Sequence, residues 1–300
     1  MTRTRLRRGL AALALIATLT LGSAACGKNS STGMPGMDHG SAMPSSPSMG
    51  GMPGMDADEM PAGDGLAATM SGLTFAPATR SVPAGKPQPF AFQIRGGDGK
   101  PVMNFANDQT KLMHFYLIRS DLTGFQHLHP EMAADGTWTA TPAALKPGTY
   151  RAYAAFIAND KSGKQTPLVL SDTVTVPGQA ADAQLPPPAT STQVDGYTLT
   201  LGGDGLTANM SHTMTVTVSR DGNPVTDLQP YLATYAHLTA FHSGDLAFAH
   251  LHPHGTPGGD HGGPALTFTA MLPRPGNWRL FLQFQTAGVL HTAALTVNVG

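Results

Sequence analysis

Two stretches of the chain carry three histidines at one repeated spacing. His114 precedes the pair His127-Leu128-His129 by thirteen positions, and His237 precedes His250-Leu251-His252 by the same thirteen. Compared without gaps over seventeen positions, the stretches agree at seven: the three histidines, Ser120, Phe125, Leu128 and Pro130 in the numbering of the first. Imidazole is a borderline ligand suited to copper and zinc, and three of them leave a fourth coordination position open. A competing reading makes these histidines structural, bonded to carbonyls across sheets, with Leu-His-Pro ending a strand. Three imidazoles can also activate water on zinc. No paired acid at a persuasive spacing, nucleophile elbow or phosphate loop accompanies them, so the chain is read as no enzyme. The second stretch has extras: His254, Asp260 and His261 in a Gly-rich insertion, Gly255-Thr256-Pro257-Gly258-Gly259, that the first copy lacks, and His291 where the first copy carries Leu168. These either expand a metal site or are solvated.

A second set of ligands lies near the N-terminus. Seven of the fifteen methionines fall between residues 34 and 60, and Met34-Pro35-Gly36-Met37-Asp38-His39 and Met49-Gly50-Gly51-Met52-Pro53-Gly54-Met55 repeat a Met-x-x-Met spacing. Methionine is ordinarily a core residue, but this stretch has no hydrophobic periodicity from which a core could be built. Thioethers are soft and hold Cu(I) in an oxidising compartment where thiols would be oxidised. Met34, Met37, His39, Met49, Met52 and Met55 are therefore candidate Cu(I) ligands, with Asp38, Asp56, Asp58 and Glu59 as further donors for Cu(II). The competing reading is a low-complexity spacer whose methionines reflect repeat slippage.

Composition narrows the alternatives. Charged residues make up 12 % of the 300 and the formal net charge is −1, so no general basic surface exists to hold a phosphate backbone, and nucleic acid is not an expected partner. A single cysteine cannot make an internal disulfide, a thiolate zinc finger or an iron–sulfur site. It has another use. Arg3, Arg5, Arg7 and Arg8 precede an apolar run from Leu10 to Leu21, which predicts a signal peptide over residues 1–25. Ser23-Ala24-Ala25-Cys26-Gly27 resembles a lipobox, with Ser23 where Leu is more usual. Lipid on Cys26 would anchor the mature chain to the outer side of a bacterial membrane; ordinary cleavage would leave it secreted.

The elements that must position the histidines are strands. Phe90-Ala91-Phe92-Gln93-Ile94 and Met214-Thr215-Val216-Thr217-Val218 alternate with period two and run into Gly- and Asp-rich turns. No stretch offers a sustained helical stripe. Pro147-Gly148-Thr149-Tyr150-Arg151 answers Pro275-Gly276-Asn277-Trp278-Arg279, and Pro101-Val102 answers Pro224-Val225, so the chain is duplicated. The reading is a disordered tether over 26–65, β-sandwich repeats over 66–178 and 194–300, and a stiff Pro-rich linker over 179–193. The expected fold is all-β: two tandem immunoglobulin-like (cupredoxin-like) sandwiches. In a strand His127 and His129 share a face, and a hairpin turning near Ser120-Asp121-Leu122 returns His114 opposite one of them, so all three imidazoles converge.

The pattern Met113-His114, Asp121-Leu122, His127-Leu128-His129-Pro130, Asp135-Gly136-Thr137-Trp138, Pro147-Gly148 and Tyr150-Arg151 resembles secreted bacterial β-sandwich domains of the YtkA-like, heavy-metal-associated kind, over about 230 residues across both copies. That resemblance implies an immunoglobulin-like fold and an association with copper. The expected function is a lipid-anchored copper buffer or chaperone outside the membrane, with Cu(I) on the methionine tether and Cu(II) or Zn(II) on His114, His127, His129 and His237, His250, His252. A copper transporter or acceptor protein is the expected partner besides the metal and the membrane. The alternative is a non-enzymatic surface module that grips a protein or glycan and has structural histidines. Metal binding should weaken as pH falls through the imidazole pKa, about 6.5.

Overall fold

The computed structural model describes residues 62–300, and all regular structure in that span is β. The first repeat runs through β1 (Thr69–Met70), β2 (Leu73–Pro77), β3 (Phe90–Arg95), β4 (Phe105–Ala106), β5 (His114–Arg119), β6 (Gln126–Leu128), β7 (Glu131–Met132), β8 (Thr137–Ala140), β9 (Gly148–Asn159) and β10 (Gln165–Val176). The second runs through β11 (Ser191–Val194), β12 (Tyr197–Gly202), β13 (Ser211–Arg220), β14 (Asn223–Pro224), β15 (Ala236–His242), β16 (Phe248–Pro253), β17 (Ala265–Met271), β18 (Gly276–Thr286) and β19 (Val289–Val299). The expected all-β, tandem immunoglobulin-like architecture is present.

In the first repeat one sheet has the order β1-β2-β3-β8-β7 and the facing sheet the order β10-β9-β5-β6, with β4 added on β9. In the second, the strands form one continuous path, β11-β12-β13-β17-β16-β15-β18-β19, with β14 added on β13. The difference lies at the histidines. β16 pairs with β15 through Phe248 to Leu251, then with β17 through His252 and Pro253, so a single strand crosses from one sheet to the other. In the first repeat the same crossing is broken: β6 stops at Leu128, and β7 resumes at Glu131 on the opposite sheet. Pro130 lies in the gap, where a residue without an N–H costs no ladder bond.

Each sandwich has its own core, and a third core joins them. β3 shows the expected alternation, with Phe90, Phe92 and Ile94 buried in the first sandwich. β5 does not alternate: all six of its residues are buried. Phe115 and Leu117 point into the first sandwich, whereas Tyr116 and Ile118 point out of it, into a cluster with Phe241, Phe248 and Phe281 of the second repeat. β15 mirrors this, with Leu238 and Ala240 in its own sandwich and Phe241 in the shared cluster. The apolar run His114-Phe115-Tyr116-Leu117-Ile118 is the signature of a strand covered on both faces. Phe125 stacks on Phe281 across the interface with ring centroids 4.3 Å apart, and the Tyr153 hydroxyl donates to the Leu246 carbonyl. At about 1.5–3 kcal/mol for each large apolar side chain buried, this third core is a substantial part of the fold. Residues 177–190, between the repeats, are irregular and mostly exposed.

Candidate metal centre

The β5–β6 hairpin places the first histidine triplet. Its turn is closed by Leu122 N–H to Arg119 O (2.8 Å) and Arg119 N–H to Thr123 O (2.9 Å). Leu122 takes φ +62°, an unusual conformation for a γ-branched residue, held in place by burial of its side chain in the inter-repeat core. Across the hairpin Phe115 pairs with Leu128 and Tyr116 with His127. His127 is therefore flanked by Tyr116, on which it stacks at 4.3 Å, and the same register carried one residue further sets His114 opposite His129. All three imidazoles share the outward face of the first sandwich, which is the face covered by the second. Each offers one ring nitrogen, and these nitrogens lie within 4.8 Å of one another.

Hydrogen bonds assign the protons. His114 Nε2 lies 3.0 Å from the Asp108 carbonyl, which can only accept, so Nε2 carries the hydrogen and Nδ1 the lone pair. His127 Nδ1 lies 2.7 Å from Gln283 Oε1, so Nδ1–H donates there and Nε2 carries the lone pair. The Gln283 amide is oriented with its Nε2 toward Thr292 Oγ1, at 3.5 Å. His114 Nδ1 and His127 Nε2 then face each other at 3.0 Å, two acceptors with nothing to share. Two nitrogen ligands on a tetrahedral ion at about 2.0 Å stand about 3.3 Å apart, close to this separation. One nitrogen of His129 completes the group, and the His129 Nε2 is buried with no hydrogen-bond partner. The bonds to Asp108 and Gln283 are the outer contacts that ligating histidines ordinarily make through their second nitrogen.

Electrostatics keep the rings neutral. Burial lowers the pKa of His114, partly offset by the Asp108 carbonyl and carboxylate. Burial, then repulsion by His114 and His129, holds His127 well below the usual imidazole range. His129 is pushed down to about 3 by burial and by the charges of His114 and Lys111. Desolvation thus favours the neutral rings, whose lone pairs a metal could take, and shifts proton competition below the ordinary imidazole range.

The second triplet does not stand apart as an equivalent site. His237 is fully buried and stacks on His127 (4.8 Å) and His114 (5.6 Å), with its Nε2 hydrogen-bonded to the Tyr116 hydroxyl at 3.2 Å. His250 is buried 4.5 Å from His237, centroid to centroid. The β15–β16 register pairs Leu238 with Leu251, which sets position 252 opposite His237; the His252 side chain lies outside the described residues. Five of the six predicted ligands thus gather in one inter-repeat cluster, in which, among the described residues, His114, His127 and His129 are the three that bring nitrogens together. The extras lie elsewhere. His254 bonds Thr269 Oγ1 (2.6 Å) and is exposed, His261 is exposed, and His291, near the start of β19, bonds Asp195 (2.8 Å) and Thr286 (3.0 Å) on the face that carries Phe284 into the second sandwich. Cys26, Met34, Met37, His39, Met49, Met52 and Met55 lie outside the described residues.

Three residues of the site escape a reading by histidine spacing: Asp108, Tyr116 and Gln283. Gln283 had a signal. Its counterpart in the first copy is Ala155, since His114 pairs with Ala155 as His237 pairs with Gln283, and it interrupts the apolar run Leu280-Phe281-Leu282.

Residues 68–171 and 192–300 each match a family described as a domain of unknown function, DUF8832. The chain belongs to the DUF8832 family. None of the curated proteins matches it in sequence. Among solved structures, the DUF8832 pair is similar to the Escherichia coli adhesin FdeC, at 17 % identity and TM-score 0.24, covering 78 % of this chain and 66 % of that one. A 1.5-MDa bacterial ice-binding adhesin matches at 11 % identity and TM-score 0.22, covering 76 % and 64 %. Tandem immunoglobulin repeats of Dlar match at 10 % identity and TM-score 0.19, covering 76 % and 96 %. The match spans just under two thirds of the solved chain of either adhesin, and such loose superpositions do not bear on function.

Proposed function

We propose that this DUF8832 protein is a non-enzymatic, extracytoplasmic copper-binding protein of the buffer or chaperone type, with His114, His127 and His129 as ligands of the ion. The observation that carries this reading is the pair of nitrogens, His114 Nδ1 and His127 Nε2, 3.0 Å apart with both ring protons committed elsewhere. A cation between them satisfies both lone pairs, and His129 supplies a third nitrogen. Three neutral imidazoles without a carboxylate ligand favour a monovalent ion, because the cost of burying a charge rises with its square. Cu(I) therefore suits the site better than Cu(II), with Zn(II) as the second choice. The basic and apolar N-terminus and Cys26 support a lipid-anchored location outside the cytoplasm, and the methionine-rich segment supports copper as the metal. A copper transporter or acceptor protein would receive the ion. The kinship to YtkA-like, heavy-metal-associated domains belongs to the same proposal.

A second reading, a surface-binding module with structural histidines, is favoured by one feature. If the Gln283 amide is turned over, its Nε2 donates to His127 Nδ1, His127 Nε2–H donates to His114 Nδ1, and the chain of bonds closes without an ion. Metal content separates the two. Mature wild type, His127→Ala/His129→Ala and a chain lacking residues 27–60 are loaded with Cu(I), Cu(II) or Zn(II), desalted and measured by mass spectrometry. The double variant should lose about one ion per chain and the deletion further Cu(I). Equal, negligible metal in all three overturns the proposal.

A further inference from the structure

Besides the half-buried His127 and His129, the histidine cluster reaches a solvent-open cavity at His250. A cavity of about 240 Å³ opens at the border of the two repeats, lined by Gly63 and Val169 on one side and Phe248, Ala249, His250 and Met271 on the other. It exists because β16 changes partners. β16 pairs with β17 only at His252–Thr269 and Pro253–Phe268; carrying that register back two residues sets Met271 opposite His250, where the strands have parted. Directly opposed residues share a face, so a thioether and an imidazole front the same opening. Met271 is 45 % exposed, as are Met103 and Met210 to a similar degree, but Met271 is the one that lines this cavity beside His250. From the cavity inward the rings follow one another: His250 to His237 at 4.5 Å, and His237 to His127 at 4.8 Å. Gly63, on the wall, stands three residues after Met60, the last methionine of the N-terminal segment.

We propose that this cavity is a loading site for a soft monovalent metal ion, first held by Met271 and His250 and then passed inward to His114, His127 and His129. The proposal rests on the metal-binding reading and adds a location and a direction to it. A thioether paired with an imidazole selects Cu(I) or Ag(I) over Zn(II), so the mouth filters for soft ions ahead of three imidazoles that accept either kind. A site with only two protein ligands binds transiently, as a transfer point requires.

The test uses the full chain labelled with [methyl-13C]methionine and 15N-histidine, titrated with silver nitrate in chloride-free buffer. Ag(I) serves as a redox-silent probe, and NMR separates Met271 from the N-terminal methionines. The expected result is a shift of the Met271 methyl no later than the ring nitrogens of His114 and His127. Met271→Leu, nearly isosteric and partly exposed, should slow filling of the histidine site at least tenfold and leave its final occupancy unchanged. A response of the histidines with an unmoved Met271 methyl, or a wild-type loading rate in Met271→Leu, overturns the loading site and leaves the metal-binding reading standing. Histidine rings that fail to respond to Ag(I) at all overturn both.

Discussion

Replacing Gln283 with leucine tests the metal centre from the side of the second repeat. Leucine fills much the same volume but removes the only acceptor of His127 Nδ1–H, a bond of 2.7 Å made across the interface by a residue that is 4 % exposed. Outer partners of ligating histidines are worth about 10–100-fold in metal affinity, which is about 1.4–2.7 kcal/mol. With free ion at about 1,000 times the wild-type Kd, binding stabilises the fold by about 4.1 kcal/mol, and the variant, at about 10–100 times its Kd, gains about 1.4–2.7 kcal/mol. For a cooperative unit of this size, at about 2–4 °C per kcal/mol, the metal-dependent rise in Tm should shrink by about 3–11 °C. Calorimetry with and without metal reads this directly, and competition with a chelator of known affinity gives Kd. Gln283→Glu keeps an acceptor at the same place and adds negative charge near the ion, so it should bind at least as tightly as wild type. Wild-type affinity in Gln283→Leu, with affinity lost in His127→Ala, would show that the bond to Gln283 does not orient the ligand.

Stability should also depend on pH. His114, His127, His129 and His237 are depressed by burial in the folded chain, and each returns to about 6.5 on unfolding. Below pH 6.5 the unfolded chain binds more protons than the folded one, so metal-free stability falls as pH drops toward the folded values; urea melts between pH 7.5 and 5 should show a steady loss, and a flat profile would refute it. Tyr116→Phe removes the hydroxyl that bonds His237 Nε2 and should cost about 1–3 kcal/mol in denaturant melts, while changing metal affinity less than Gln283→Leu does. Phe281→Ala empties a position stacked on Phe125 in the shared core and should cost about 3–5 kcal/mol; a single unshifted calorimetric transition would show that the repeats do not depend on this contact.

Much of the architecture is legible from residue order because it depends on local pattern. Alternation at Phe90–Ile94 and Met214–Val218 reports half-buried strands, and the answering Pro-Gly-x-aromatic-Arg segments report a duplication. The convergence of His114, His127 and His129 is legible too: a hairpin has one side-chain period, and the thirteen-residue spacing leaves the three on one face in either register. What the pattern cannot convey is which surface covers that face. β5 and β15 read as apolar runs, and an apolar run is equally consistent with a sandwich interior or with a surface hidden by another domain.

Tertiary structure decided the rest, for one physical reason: contacts between residues more than a hundred positions apart leave no periodic trace in either segment. Tyr116 meets His237, and His127 meets Gln283, only because the outward faces of the two sandwiches pack together. That packing turns two equivalent triplets into one asymmetric cluster, gives His127 its Gln283 partner, and removes the water that would hold the imidazole pKa values near normal. Sequence alone determined which residues could bind a metal. The fold determined that three of them bring ring nitrogens within 4.8 Å of one another, and that the partners holding them, Asp108 and Gln283, come from both copies.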